Sequence, residues 1–405
     1  MGINFPSAPT VGDLYPVPVV PGIPQYKWDG TSWLVVIQDT QAYVRRAGDS
    51  MTGLLTLSGD PTAALHAVTK QYAAPFDAMS YSGMQINGSM DISQELGTTG
   101  TGADFTYAID GWKLSKNGTM VPIAVQSASS GLFPGFSNML SVVFSTAQAS
   151  LGTGDVLSML HPIEGYRIAR LAWGTANARP ITIAFWSDHF KPGLYSVVAR
   201  NNPANRSYAA TYTQAASNVP QYNVITIPGD TSGTWATNNA LGLMLVFCVG
   251  AGSTYVAPSA NTWSAGAFHA APGQVNGADS TSNAFRITGV VVLPGTQAPT
   301  AAQSPMIMRP YDQELLTCMR YFEKCGPSDL VGYTLAANAV RAPYPFHVSK
   351  RAIPTMSGIG WSATTNANSQ GCFSLTTEGF SWGFACVSTG PCNFLGFTSN
   401  ADARL

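Results

Sequence analysis

Three carboxylic acids are the candidates for acid–base chemistry in this sequence. Asp110, Glu164 and Asp188 lie in the central part of the chain, where acids are sparse. Glycoside hydrolysis needs two carboxyl groups about 5–10 Å apart, and nothing in the spacing of these three brings two of them together. In so acid-poor a chain, each acid fits better as a turn cap or as an ion-pair partner of Arg167, Arg170 or Arg179. The sequence therefore predicts a protein that is not an enzyme.

The histidines and cysteines also give no indication of a catalytic or metal site. None of the five histidines has an obvious nucleophile as a neighbour. The six cysteines include no C-x-x-C pair and no pair close to a histidine, which zinc sites require. No metal and no cofactor are therefore predicted. The cysteines are expected to be buried free thiols, with a disulfide among Cys372, Cys386 and Cys392 as the alternative.

Aromatic and asparagine side chains on polar loops are the stronger candidates for binding. Aromatic faces fit the C–H faces of sugars, and amides exchange hydrogen bonds with hydroxyl groups. In the central region the predicted glycan-binding residues are Asn205, Tyr208, Tyr212, Trp235, Tyr255, Asn261 and Trp263. In the C-terminal region they are Trp361, Asn366, Asn368 and Trp382. Burial in the core is the alternative for each aromatic residue, and it is the expectation for Trp173 and Trp186, which lie in apolar runs.

The composition excludes two classes of partner. Of the 405 residues, 20 are Lys or Arg and 21 are Asp or Glu, which gives a net charge of −1 and no basic field for nucleic acid. Charged residues make up 10% of the chain, against roughly 25% in an average soluble domain. No apolar run reaches the roughly 18 residues of a membrane span. The first residues also lack the pattern of an export signal, so none is predicted.

The N-terminal residues 1–45 are rich in proline, which predicts an extended arm with short edge strands. Asp29-Gly30 predicts the turn of a small hairpin that carries Tyr26, Trp28 and Trp33. So short a hairpin has too little chain to bury two tryptophans, so we expect these three residues to dock onto a partner. The alternative is a local stack of the two tryptophans.

Residues 46–75 contain the most specific pattern in the chain. Asp60 and Pro61 are typical of a helix start, and an apolar stripe follows at a spacing of three and four residues. The segment resembles a recurrent element of tail fibres and related adhesion proteins of tailed bacteriophages. The matching residues are Gly48-Asp49, Met51-Thr52-Gly53, Leu55-Thr56-Leu57, Gly59-Asp60-Pro61-Thr62, His66-Ala67, Thr69-Lys70 and Tyr72.

That resemblance implies a threefold neck between an arm that attaches to the virion and domains that bind a receptor. The residues it places in the trimer neck are Met51, Leu55, Leu57, Leu65, Val68 and Tyr72. It makes Tyr26, Trp28 and Trp33 the virion-attachment residues. The chain departs from the family pattern only after Tyr72, where Ala73-Ala74 replaces Val-Asp. Residues 76–103 are expected to form a linker with a short strand.

Residues 104–300 alternate short apolar runs with polar turns, which predicts an antiparallel sandwich or jelly roll. The predicted strands are Phe105–Ser115, Met139–Ser145, Val156–Leu160, Ile181–Trp186, Tyr195–Ala199, Ser207–Tyr212, Asn223–Ile227, Leu241–Cys248 and Phe285–Leu293. The segment also resembles a jelly-roll domain of phage tail proteins that is similar to carbohydrate-binding modules. The stretches that carry the resemblance are Ile109-Asp110-Gly111-Trp112, Ile163-Glu164-Gly165, Leu171-Ala172-Trp173-Gly174, Arg206-Ser207-Tyr208, Ile227-Pro228-Gly229-Asp230 and Trp263-Ser264-Ala265-Gly266.

Residues 301–405 begin with a helical stripe and then alternate, which predicts one helix followed by a smaller β-sandwich. The stripe consists of Leu315, Cys318, Met319 and Phe322, and Gly326-Pro327 is expected to end the helix. The strands predicted after it are Pro345–Lys350, Cys372–Thr377, Phe380–Val387 and Asn393–Phe397. This region resembles the terminal module of phage tail proteins, which implies a trimeric tip.

Together these patterns predict a mainly β protein with an arm (1–45), a neck and linker (46–103), a jelly-roll domain (104–300) and a tip (301–405). Its expected function is that of a homotrimeric phage tail fibre in the virion. It would bind tail, baseplate or other virion proteins by its N-terminus and a host surface polysaccharide by its β-domains. Two alternatives remain. One is a tailspike-type polysaccharide depolymerase, and the other is a structural baseplate, neck or head-fibre component.

Overall fold

The computed structural model describes residues 3–20, 23–36 and 83–405. The chain divides into two units, Met1–Ala73 and Ala74–Leu405. The segment that resembles the phage neck, and with it every predicted neck residue, lies outside the described residues: Met51, Leu55, Leu57, Leu65, Val68 and Tyr72. Within the described ranges no helix is long and apolar enough to cross a membrane.

In the described residues of the N-terminal unit, three strands form a small antiparallel sheet: β1 (Leu14–Tyr15), β2 (Tyr26–Trp28) and β3 (Trp33–Val35). The predicted hairpin is present, and the Asp29 carboxylate closes its turn by accepting hydrogen bonds from the backbone N–H groups of Thr31 and Ser32, each at 2.7 Å. The tryptophan rings of β2 and β3 lie 5.5 Å apart. The two tryptophans therefore contact each other within the unit, with their ring planes tilted by 53° rather than stacked. Docking of Tyr26, Trp28 and Trp33 onto a partner stays a prediction.

The second unit begins with a two-layer antiparallel sandwich, which confirms the predicted mainly β class. One layer has seven strands in the order β14-β11-β10-β13-β8-β5-β4, and the other has five in the order β12-β9-β15-β7-β6. The strands are β4 (Tyr107–Ile109), β5 (Trp112–Asn117), β6 (Val121–Ala128), β7 (Asn138–Thr146), β8 (Val156–Glu164), β9 (Ile181–His189), β10 (Gly193–Arg200), β11 (Ser207–Gln214), β12 (Gln221–Ile227), β13 (Leu241–Ala251), β14 (Trp263–Ser264) and β15 (Ala284–Pro294).

Both faces of the seven-stranded sheet are buried at its centre. Strand β13 is apolar without alternation because its inner side chains, such as Phe247, fill the main core. Its outer side chains, such as Val246, are covered by the connection between β13 and β15 through Ala257 and Ala271. Short helical turns occupy the ends of other strands: α1 (Gly165–Ile168) and the 3₁₀ segments Ala169–Leu171, Ser253–Tyr255 and Ser304–Ile307.

Residues 83–103 are part of the sandwich, which corrects the predicted linker. Met84 and Met90 are fully buried in the main core. The segment also adds backbone hydrogen bonds along β15, because Met84 N–H donates to Val292 O at 2.9 Å and Val290 N–H donates to Gly88 O at the same distance. Buried backbone groups need hydrogen-bond partners, and strand β15 provides them here. Residues 83–103 are therefore packed in the sandwich although its first strand, β4, comes later in the sequence.

The C-terminal domain follows helix α2 (Tyr311–Met319). Its strands are β16 (Phe322–Thr334), β17 (Ala339–Pro345), β18 (Thr355–Gly360), β19 (Ala363–Thr365), β20 (Ala367–Phe373), β21 (Gly379–Cys386) and β22 (Gly390–Asp402). One sheet has the order β16-β22-β18, with β19 also paired to β22, and the other has the order β17-β21-β20. Aromatic side chains between the two sheets form a separate core.

The helix prediction for this domain was too long. Helix α2 ends at Met319, and Phe322 opens strand β16 opposite Asp402 of β22. The strand then continues through Gly326-Pro327, where the helix was expected to stop. Strand pairing explains the difference. The thirteen-residue strand β16 forms antiparallel hydrogen bonds with β22 and buries Phe322 and Cys325. A disulfide joins Cys386 to Cys392, which is the alternative considered for Cys372, Cys386 and Cys392. The other four cysteines are free thiols, as expected.

Because three histidines are buried, we expect the folded protein to lose stability in acid. Burial lowers the pKa of His161 to about 4 and those of His189 and His269 to about 3. The unfolded chain protonates these rings near pH 6.5, so stability should fall as the pH drops below 6.5. Burial raises the pKa of Asp110 to about 6, which opposes part of this loss. We expect a net loss of about 1–3 kcal/mol per pH unit between pH 6 and 4.

Urea unfolding midpoints at pH 7, 6, 5 and 4.5 measure this loss. The ring C–H signals of the three histidines should not titrate above pH 5 in the folded protein. A midpoint that is constant from pH 6.5 to 5 would contradict the burial of neutral histidines.

Candidate functional site

Four aromatic rings meet at the β14 edge of the seven-stranded sheet, and we call Trp173, Tyr208, Trp235 and Trp263 the tryptophan cluster. Register places Trp263 of β14 directly opposite Tyr208 of β11, with their rings 5.3 Å apart. Trp263 lies 5.7 Å from Trp235 and 5.4 Å from Trp173. Trp173 and Trp235 are 4.6 Å apart, edge to face. Such arrangements are the favoured geometry of aromatic pairs.

The cluster presents ring surface rather than indole N–H groups. Each indole nitrogen donates to a backbone carbonyl: Trp173 to Arg179 at 2.6 Å, Trp235 to Ser232 at 3.1 Å and Trp263 to Pro228 at 2.9 Å. Trp173 and Trp235 are at most 7% exposed, whereas Trp263 is only half-buried. Trp263 is therefore the ring that a ligand can reach, held in place by the buried rings behind it.

An ion pair fixes the loops beside Trp263. Arg206 donates from Nε and Nη2 to the two oxygens of Asp230, at 2.9 and 2.6 Å. Asp230 is 1% exposed and also accepts from the backbone N–H of Ser232 at 3.1 Å. The guanidinium lies 5.8 Å from the Trp263 ring. Because Asp230 occupies Nε and Nη2, the remaining Nη1 edge is the part of Arg206 that can donate to a ligand.

Two asparagines, Asn201 and Asn205, lie next to Arg206. Asn201 is buried, and its Oδ1 accepts from the backbone N–H groups of Asn205 and Arg206, each at 3.1 Å. Its Nδ2 donates to Asn205 Oδ1 at 2.7 Å. Asn205 itself is exposed, and its backbone carbonyl accepts from Gly266 next to β14. With Oδ1 occupied, Asn205 offers a hydrogen-bond donor at the surface, as Arg206 does.

Several predicted binding residues lie elsewhere or are inaccessible. Tyr212 belongs to the main core, where its hydroxyl bonds His189 Nε2 at 2.8 Å. Trp382 is 3% exposed and stacks on Phe397 at 4.5 Å in the C-terminal core. Neither can meet a ligand, and burial corrects both predictions. Tyr208 and Trp235, at 7% exposure, support Trp263 rather than form the contact surface.

The other predicted residues have separate surroundings. Tyr255 lies in a 3₁₀ segment against His269, with ring centres 5.1 Å apart. Asn261 is exposed two residues before β14.

The C-terminal candidates lie in a different domain. Asn366 stabilises a turn, because its Nδ2 donates to the Ser388 and Pro391 carbonyls. Asn368 is exposed on β20, and Trp361 is 46% exposed against Phe394. Trp173 is buried as expected, and Trp186 is half-buried with its indole N–H bonded to Ser304.

Each carboxylate considered for hydrolysis is buried and engaged. Asp110 accepts hydrogen bonds from the backbone and side chain of Gln94. Glu164 accepts from Arg320 and from the Tyr321 hydroxyl, the latter at 2.7 Å. Burial acts to raise the pKa of Glu164, but these hydrogen bonds lower it below its ordinary value. Asp188 pairs with Arg286 at 3.0 Å.

A serine-elbow sequence occurs in strand β21. Residues Gly379–Gly383 read Gly-Phe-Ser-Trp-Gly, the pattern that places a nucleophile on a strand-to-helix turn. Here the chain stays extended, and Ser381 pairs with Pro343 of β17 and Phe373 of β20. The turn that exposes a nucleophile is therefore missing at this position. Across the part of the chain that the structure describes, no group of His, Cys, Asp or Glu is placed to hold a metal.

Sequence reasoning missed Trp173, Asn201, Arg206 and Asp230 as members of the site. One signal was present for two of them. Arg206 and Asp230 are two of only four charged residues between positions 201 and 300, so each was a candidate for a specific ion pair, although the sequence does not show which partner it takes. Asn201 gave no comparable signal, because asparagine is common throughout the segment.

Comparisons with known proteins give distant structural likeness alone. No family model matches the chain, and no curated protein matches it. Similar solved structures include the enzymatically active domain of bacteriophage CBA120 tailspike protein 4, at TM-score 0.28 and 11% identity over 53% of this chain and 22% of that one. A family 11 carbohydrate-binding module of a Clostridium thermocellum cellulase has TM-score 0.25 and 11% identity, covering 50% and 98%. A putative sugar-binding protein from Bacteroides thetaiotaomicron has TM-score 0.29 and 9% identity, covering 52% and 99%.

Proposed function

We propose that this protein binds a glycan at the tryptophan cluster without cleaving it, as the receptor-binding part of a phage fibre. The observation that carries the proposal is the half-buried Trp263 ring, backed by buried rings and bordered by Arg206 and Asn205. A rigid aromatic face beside a few fixed polar groups is a typical ligand-binding arrangement.

The polar groups of the site indicate what the glycan must offer. Arg206 and Asn205 contribute donors, while the Asp230 carboxylate is buried and already accepts three hydrogen bonds. A ligand therefore supplies acceptors, either hydroxyl oxygens or the carboxylate of an acidic sugar. The sugar C–H face would pack on Trp263.

A glycan array that carries neutral and uronate-containing bacterial polysaccharides tests the proposal, with release of reducing sugar measured in parallel. We expect binding to at least one polysaccharide and no release of reducing ends. Release of reducing ends would instead support the depolymerase alternative. Failure to bind any of them, together with retention on isolated virion proteins, would support the structural component.

A homotrimer is part of the same proposal, and it rests on the resemblance of residues 46–75 to the phage neck. Three weak sites on one fibre would act at high effective concentration and give avidity. We expect light scattering on the full chain to give about three times 42.6 kDa. A monomer would contradict the trimeric fibre but leave glycan binding at the tryptophan cluster open to its own test.

A further inference from the structure

We propose that Cys325 and Cys372 form a second disulfide in the C-terminal domain, joining its two sheets. Cys325 lies on β16 directly opposite Ser399 of β22, and both residues are 2% exposed. Cys372 lies on β20 directly opposite Trp382 of β21, which is 3% exposed. Residues that face each other in an antiparallel pair point to the same side of the sheet, so both thiols point into the core between the sheets.

The two thiols belong to one core. Cys325 is a member of the buried cluster between the sheets and Cys372 packs against it, and both are free thiols in the structure. Ser399, opposite Cys325, has a buried Oγ that makes no well-formed hydrogen bond, and its hydroxyl acts to lower the pKa of both thiols, as a group near both of them would. Trp382, which is opposite Cys372, stacks on Phe397 of the facing sheet at 4.5 Å. The sheets are therefore in contact beside Cys372, at a point two residues along β22 from the partner of Cys325.

The existing disulfide shows that this core accommodates a bridge between sheets. Cys386 is on β21 and Cys392 is on β22, with 6.2 Å between their Cα atoms. A bridge from β16 to β20 would close a much longer loop than the separation of six residues between Cys386 and Cys392. Longer loops restrict the unfolded chain more, so the second bridge should raise the unfolding midpoint of the domain by roughly 5–15 °C.

Oxidised glutathione, a low-molecular-weight disulfide, supplies the oxidising equivalents. Burial raises the pKa of both thiols, that of Cys325 to about 12, so the less buried Cys372 is the first to react. Its thiolate attacks glutathione disulfide, forms a mixed disulfide and releases one glutathione thiolate. Cys325 then loses its proton, and its sulfur displaces the second glutathione from Cys372. Two thiols become one disulfide, one glutathione disulfide becomes two glutathiones, and the released thiolates take up the two protons.

The test uses the full chain, incubated natively and also refolded from denaturant in a mixture of oxidised and reduced glutathione. Alkylation under denaturing conditions without reduction, followed by peptide mapping, identifies the pairs. We expect Cys325–Cys372 and Cys386–Cys392, with Cys248 and Cys318 alkylated. Cys318 is a matched control, since it is buried in a different cluster.

Two single variants separate the new bridge from the old one. Cys325→Ser and Cys372→Ser should each lose the Cys325–Cys372 peptide, keep Cys386–Cys392 and lose the gain in unfolding midpoint after oxidation. Alkylation of both Cys325 and Cys372 after both treatments would overturn the proposal, and so would a linkage of Cys372 to Cys386 or Cys392.

Discussion

Replacing Trp263 by alanine should weaken glycan binding at least about tenfold. Trp263 is the reachable ring of the tryptophan cluster, and its loss removes the face on which a sugar would pack. The three partner rings belong to the main core, so we expect the variant to fold. Isothermal titration with a polysaccharide identified on the array measures the loss, and circular dichroism checks that the variant is folded.

The matched control for this variant is Trp361→Ala. Trp361 is a second accessible tryptophan, but it lies in the C-terminal domain against Phe394. Glycan affinity should change less than twofold in this control. If Trp361→Ala abolishes binding and Trp263→Ala does not, the glycan site belongs to the C-terminal domain.

Removal of the Lys350 ammonium should destabilise the C-terminal domain by about 3–5 kcal/mol in Lys350→Ala. Lys350 and Glu323 form an ion pair in which both side chains are completely buried. The ammonium also donates to the Met319 carbonyl at 2.6 Å, at the end of helix α2. Without it, the helix-end carbonyl loses this donor, and the buried Glu323 carboxylate keeps only its hydrogen bonds from His347. A buried carboxylate without the ammonium beside it is costly in a low-dielectric interior. Urea unfolding at pH 7 measures the change.

Lys324→Ala is the control for charge removal alone. Lys324 is on the same strand as Glu323 but exposed, so its loss should change the free energy of unfolding by at most about 0.5 kcal/mol. The double variant Glu323→Gln with Lys350→Met should recover much of the loss, since no unpaired charge remains buried. A cost below about 1 kcal/mol for Lys350→Ala would show that the pair is not buried as described.

The strands of the sandwich were largely predictable because they are apolar runs separated by polar turns. The nine predicted strands each overlap observed ones, and β15 was predicted to within one residue at each end. Strand β6 was missed, since it is an edge strand with exposed Val121 and Ile123 and an internal Pro122. The packed segment 83–103 was also missed, because it contributes to the core without forming a regular strand.

The binding residues were harder to predict, because sequence does not show which face of a strand is buried. Tyr212 is four residues after Tyr208 on β11, so both point inward, and only Tyr208 reaches the β14 edge. Trp382 had a usable signal, since Phe380, Trp382 and Phe384 alternate and are all buried. Arg206 and Asp230 are 24 residues apart in the sequence, and only the folded strands and loops bring them together. Their pairing therefore could not be predicted from the sequence.

The most direct test of glycan binding at the tryptophan cluster is hydroxyl-radical footprinting of the full chain with and without the polysaccharide identified on the array. Binding as proposed protects Trp263 and leaves the oxidation of Trp361 unchanged. Unchanged oxidation of Trp263 at saturating polysaccharide would contradict glycan binding at the cluster.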